Sequence, residues 1–175
     1  TDSEIVRVLD GKDKWGCPLI FVDWSKFYLG NYTLIGLRKL LWVRVHQALD
    51  ATEPKERGRI SVILDASGFG IKTFSRTLVK RILKDMNNLL PVRRITHVCN
   101  PSKFFHDLYP QLRFLMGKKV RSRVFLHSEQ IDHLLEMYGI PGSCLPEQIL
   151  PENARPRKRR GLRFGERAIR QAGAA

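Results

Sequence analysis

Apolar residues recur along this chain at two spacings, and the alternation between them predicts stacked strands and helices. Leu19–Trp24 is a short apolar run behind the turn Lys14–Gly16 and Pro18, which predicts a strand. Thr33 then stands as the cap of a helix to about Leu49, where Leu34, Leu37, Leu41, Val45 and Ala48 recur at three and four. Ile60–Leu64 is nearly continuous in apolar residues, as expected of a strand covered on both faces. After the turn at Gly68 and Gly70, the spacing predicts a helix over Phe74–Leu89, with Leu78, Ile82, Met86 and Leu89 on one face. Pro91 ends it, and Arg94–Cys99 is the next strand. Ser102 caps a helix through Phe104, Phe105, Leu108 and Tyr109, which Pro110 is expected to interrupt. Arg123–Leu126 forms a further short strand. Ser128 and Glu129 open a last helix with Ile131, Leu134, Leu135 and Tyr138 on its apolar face, stopped by Gly139. The order β-α-β-α-β-α-β-α predicts an α/β layered fold with a largely parallel sheet covered by helices.

The 175 residues suit one domain with a real core, and 43% hydrophobic with 27% charged residues reads as globular and soluble. No apolar run approaches the roughly 20 residues of a membrane span. The start Thr1–Glu4 is polar, without the shape of a signal peptide or an initiator Met, so a segment of a longer protein is expected. Domain boundaries are expected at 1–150 for the folded body and 151–175 for a basic, poorly ordered tail. That tail holds 8 Lys and Arg against 2 Glu, and so supplies +6 of the net +14. A body this basic calls for anionic partners: phosphoinositides, an anionic membrane surface or nucleic acid. Lys72, Arg76, Lys80 and Lys84 follow a spacing of four and predict one basic helix face.

The motifs of catalysis are weak. Ser67–Thr73 occupies the place of a phosphate loop, but Ile71 separates Gly70 from Lys72 where such a loop needs the lysine next to its last glycine. A plain strand-to-helix turn explains it better, and no cofactor is expected. Asp65 at a strand end reads as a turn carboxylate accepting backbone amides. Cys17, Cys99 and Cys144 are odd in number and far apart, which argues against a disulfide framework and for a reducing compartment. Cys99 suits a small core residue, and the five His show no paired-ligand spacing, so no metal site is expected. Phe104–Met116 carries more large apolar groups than one helix face needs, enough to cover a core and also line a cavity.

In order and spacing, the chain from about Asp10 to Leu150 resembles the CRAL-TRIO lipid-binding domain of phosphatidylinositol and tocopherol transfer proteins. The carrying residues are Gly16–Pro18 leading into Leu19–Val22, Asp65–Phe69 after the second strand, Leu90–Pro91 through Asn100–Pro101, Phe114–Leu115, Arg121–Phe125 and, in part, Leu145–Glu147. The resemblance implies an apolar ligand pocket under a mobile gate, here Phe104–Met116, and a noncatalytic protein. It implies a cationic head-group residue at Arg123, whereas the family's acidic head-group residue is replaced by Val92 and its closing glycines by Ile149 and Leu150. The helical lobe that precedes the domain in the family has no counterpart in these residues. Phe104, Leu108, Leu112 and Leu115 recur at four, four and three and are expected to line the ligand side of the gate.

Four readings follow. The first is binding or exchange of a hydrophobic lipid at an anionic membrane, by a cytoplasmic, peripheral membrane protein. The second is a noncatalytic protein-interaction scaffold of the same fold with its cavity collapsed. The third is a nucleic-acid-binding domain using the Arg155–Arg160 run, which equally suits a nuclear address or a lipid-surface anchor. The fourth is a nucleotide-dependent enzyme.

Overall fold

The computed structural model describes residues 5–27, 33–52, 58–77, 79–81, 84, 93–127 and 131–150. The basic segment 151–175 lies outside them, as do all four positions expected to form the apolar face of the helix over Phe74–Leu89: Leu78, Ile82, Met86 and Leu89.

Five strands make one sheet in chain order: β1 (Val6–Lys12), β2 (Pro18–Asp23), β3 (Arg59–Asp65), β4 (Arg93–Cys99) and β5 (Val124–His127). β1 pairs antiparallel with β2, and the remaining pairs are parallel. Between the strands lie α1 (Leu34–Asp50), helical turns at residues 76–77, 79–81 and 84 (α2), α3 (Lys103–Leu115), α4 (Lys118–Arg121) and α5 (Ile131–Tyr138). The predicted α/β layered, largely parallel architecture is therefore the one observed.

Side-chain alternation splits the strands between two cores. Ile20, Ile60, Val98 and Ala66 face a core shared with Leu37, Val45 and Ala48 of α1 and with Phe105 and Leu112 of α3. Leu19, Phe21, Ile63 and Cys99 face a second core, closed by Tyr138, Ile140, Leu145, Ile149 and Leu150. Phe21 and Ile63 have no exposed surface, and burying a side chain of that size stabilises the fold by about 1.5–3 kcal/mol. This is why β2 and β3 read as continuous apolar runs.

Local chemistry fixes the strand ends. Thr33 caps α1 by accepting from the Gly36 amide at 3.0 Å. Asp65 accepts from the Ser67 amide at 3.0 Å, so it is the turn carboxylate its position suggested. Thr73 Oγ1 accepts from the Gly70 amide at 2.9 Å, and the loop over Ser67–Thr73 thus satisfies these amides internally and does not leave them for a phosphate. Gly68 has no room for a side chain: a Cβ there would lie 2.2 Å from Ser25 Cα. Gly139 terminates α5 with φ +60°, the left-handed conformation that glycine tolerates best.

Two expectations need correction. The sheet contains β1, an antiparallel edge strand ahead of β2 that the helix–strand alternation did not include; the element order opens β-β-α. Its charged positions Arg7, Asp10 and Lys12 blur the period, because an edge strand is paired on one side only. Pro110 does not interrupt its helix, since α3 runs unbroken from Lys103 to Leu115. His106 and Pro110 are both exposed, so water can satisfy the carbonyl that the missing proline N–H leaves free.

Candidate functional site: the space beneath helix α3

Helix α3 is anchored firmly at its start and loosely at its end. Ser102 Oγ accepts from the Phe105 amide at 3.1 Å and also bonds the Phe69 carbonyl, tying the first turn to the Asp65 loop. Phe69 centres an aromatic cluster, with ring centroids 5.1 Å from Phe105, 5.8 Å from Phe74 and 6.1 Å from Phe104. Toward the other end Phe114 is 83% and Leu115 40% exposed. The helix ends at Met116 and Gly117, both in extended backbone, before the short α4.

Two spaces adjoin α3. A small apolar cavity of about 110 Å³ lies between it and the sheet, lined by Leu64, Val98, Phe105, Tyr109, Leu112 and Met116 among others. A cleft of about 750 Å³ opens between α2 and α3, lined by Phe74, Arg76, Leu108, Leu112, Phe114 and Leu115 among others. Among the described residues Val79 and Leu112 border both, so these two side chains stand between the spaces.

The expected gate residues divide accordingly. Leu108, Leu112 and Leu115 line the cleft, while only Leu112 also reaches the cavity. Phe104 lines neither and belongs to the aromatic anchor. The α3 residues facing the cavity are Phe105, Tyr109, Leu112 and Met116, spaced four, three and four. That row was present in the sequence as the neighbouring helical stripe, and the run of large apolar residues made the two stripes hard to tell apart.

Lys72, Arg76, Lys80 and Lys84 are all exposed, the first in a turn and the others on α2. None has a carboxylate partner among the described residues. Arg76 brings this row to the mouth of the cleft. Arg123 lies elsewhere. It is half-buried and lines a separate pocket of about 310 Å³ with Trp15, Arg59, Ile95 and Phe125, sharing no lining residue with the two spaces at α3.

The buried polar groups serve the fold. His97, fully buried on β4, places Nδ1 3.1 Å from Nε2 of His127 on β5. Burial, with a smaller effect of His127, pulls the His97 pKa down to about 3. Burial pushes the Cys99 thiol up to about 12, so it is an inert core thiol. Asp23 and Asp65 are register partners at the ends of β2 and β3, and Gln148 Nε2 donates to both, at 2.9 and 3.4 Å. For Asp23, burial raises the pKa but hydrogen bonds from Ser25 and Gln148 and the Lys26 charge outweigh it, leaving the pKa lowered. Among the described residues no three His, Cys, Asp or Glu side chains gather as metal ligands.

Comparison with known proteins agrees with this geometry. The chain is similar to human alpha-tocopherol transfer protein-like, 21% identical over 150 residues that make up 83% of this chain and 43% of that protein. It is similar to Xenopus laevis clavesin-1, 21% identical over 81% of this chain and 43% of the other, and to human clavesin-2, 22% identical over 78% and 42%. The chain thus spans less than half the length of these relatives. The crystal structure of Sfh5 shares the fold, with a TM-score of 0.51 at 12% identity over 70% of this chain and 46% of that one. The CRAL/TRIO domain model matches residues 2–149, and the chain belongs to that family.

Proposed function

We propose that this chain binds a lipophilic ligand between α3 and the sheet, and exchanges it at anionic membrane surfaces. The observation that carries the reading is the apolar cavity against the sheet that shares Leu112 and Val79, among the described residues, with a large neighbouring cleft. Small-molecule sites occupy roughly 300–1,000 Å³, so the cavity alone is too small and the cleft is large enough. An outward swing of α3 about its aromatic anchor withdraws Leu112 and joins the two. Tyr109, Thr96 and the Trp24 indole N–H aside, the described side chains of the joined wall near the sheet are apolar, which suits a predominantly apolar ligand there. The name of the alpha-tocopherol transfer protein-like relatives points to the same ligand class.

Membrane contact is supported by what surrounds the cleft. Phe114 and Ile71 are 83% and 79% exposed, Phe114 beside Arg76 in the cleft wall and Ile71 next to Lys72 in the chain. Each cation of the Lys72–Lys84 row adds about 1 kcal/mol at a charged bilayer. This is a binding activity and not a catalytic one, in a cytoplasmic, peripheral membrane setting. The small size of the cavity favours one second reading, a scaffold that keeps the fold and takes no ligand.

Native mass spectrometry of the purified chain, with fluorescent-lipid loading of Leu108→Trp, separates the two. Ligand binding predicts a copurified or loadable lipid, and a several-fold loss of loading in Leu108→Trp with a melting temperature within a few degrees of the parent. A parent chain that loads no lipid leaves the scaffold standing.

A further inference from the structure

The pocket at Arg123 has a chemistry of its own. It sits where the parallel strands begin, bordered by Arg59 at the start of β3, Ile95 of β4, Phe125 of β5 and Trp15 in the turn before β2. Its volume, about 310 Å³, reaches the lower end of the small-molecule range.

Its aromatic walls are braced. Trp15 and Phe125 remain 43% and 37% exposed, yet each ring rests 5.7 Å from the Tyr138 ring, Trp15 edge-on. Two large flat side chains are thus held upright at the pocket with surface left uncovered, an arrangement that favours a planar partner.

Its charge is unanswered. Neither Arg59 nor Arg123 has a carboxylate partner among the described residues. Asp13, the acid nearest in the chain to Trp15, is already engaged: it accepts from the Trp15 and Cys17 amides at 2.9 Å each and from Ser61 Oγ at 2.6 Å. Lys14 Nζ, 4.6 Å from the centre of the Trp15 ring, adds positive charge. Guanidinium groups with no acid beside them among the described residues, at a concave aromatic site, favour one planar oxyanion held through paired N–H donors.

The lining also excludes much. Beyond the two guanidinium groups, the described side chains there that form ordinary hydrogen bonds are Ser122, which already donates to the Lys119 carbonyl, and the Trp15 indole. A polyhydroxylated head group would leave most of its hydroxyls without partners, which costs affinity. We propose that this pocket binds a planar hydrophobic anion, an aromatic ring bearing a carboxylate, independently of the lipophile site at α3. No residue lines both places, so the two ligands can be held together.

Titration calorimetry of the whole chain with 1-naphthoate, 1-naphthalenemethanol and inositol 1-phosphate tests this. Saturable one-to-one binding of 1-naphthoate is expected, with the neutral alcohol at least tenfold weaker and no competition from inositol 1-phosphate. Arg123→Gln should weaken 1-naphthoate about tenfold, and Trp15→Ala several-fold, while leaving fluorescent-lipid loading unchanged. Both positions are partly exposed, and matching melting curves verify that the variants fold. The proposal is overturned by inositol 1-phosphate binding more tightly than 1-naphthoate, by naphthoate binding that ignores both substitutions, or by no binding up to millimolar concentration. Failure of lipid loading alongside intact naphthoate binding would sink the α3 reading and leave this one in place.

Discussion

At the residue scale, the second core holds a pair of imidazoles where a chain this basic has little use for more charge. The 3.1 Å approach of His97 Nδ1 to His127 Nε2 accommodates one proton between the rings, and Nε2 of His97 has no partner among the described residues. His97 is therefore neutral in the folded state, and a proton added to it would bury a cation beneath Tyr138, whose ring lies 4.3 Å from that of His97. The folded pKa of His97 is about 3 against an ordinary 6.5. As pH falls below 6.5 the unfolded chain takes a proton that the folded chain refuses until about pH 3. Stability from this residue is thus complete above that upper value and lost progressively through the window, at up to about 1.4 kcal/mol per pH unit. Urea unfolding of the parent and His97→Leu between pH 7 and 4 should show the variant with the shallower acid limb, by close to one proton. Parallel limbs would mean that His97 is not the group refusing the proton.

At the element scale, α3 combines a fixed start with a weakened middle. Pro110 removes one backbone hydrogen bond inside a helix, a defect worth about 3 kcal/mol in an ordinary helix interior. Here it falls between the aromatic anchor and the exposed end, where bending would move Leu112 most. Pro110→Ala should stiffen the helix, raise the melting temperature by several degrees and slow fluorescent-lipid exchange several-fold. Faster exchange in the variant would show that the bend resists opening. How much of this was legible in the sequence differs by element. The capped helices α1 and α3 and strands β2, β3 and β4 stood out because both cores impose a clear period and because Thr33 and Ser102 are strong cap residues. β1 was hidden by the charges an edge strand accepts. The exact stripe of α3 that faces the cavity was hidden because Phe104 and Phe105 are equally apolar, and only the sheet decides which one points inward. Two neighbours of Arg123 were out of reach: Trp15 and Arg59 come from distant segments, and only the folded sheet with the turn before β2 brings them beside Phe125.

At the scale of the whole molecule, the two faces of the sheet divide the labour: α3 and its cleft lie over one core, while α5 and the segment Ile140–Leu150 close the other. The cleft side also carries the row Lys72, Arg76, Lys80 and Lys84, which meets no carboxylate among the described residues. A net charge of +14 attracts any polyanion, so attraction alone does not distinguish a bilayer from RNA. Position does. A bilayer approaching the cleft meets Phe114 and Ile71 together with the cations, whereas a nucleic acid gains from the cations and the basic tail but little from aliphatic and phenyl groups on an open helix end. Charge reversal at Arg76 and Lys80 should therefore weaken binding to vesicles containing phosphatidylserine by tenfold or more in low salt. The loss should shrink as salt rises, because the Debye length falls to about 8 Å at physiological ionic strength. Phe114→Ser should weaken the same vesicles in high salt as well as low, since the apolar contribution is not screened, and should leave RNA binding unchanged. A larger loss on RNA than on vesicles after charge reversal, with Phe114→Ser silent on both, would move the basic row from membrane contact to nucleic-acid contact.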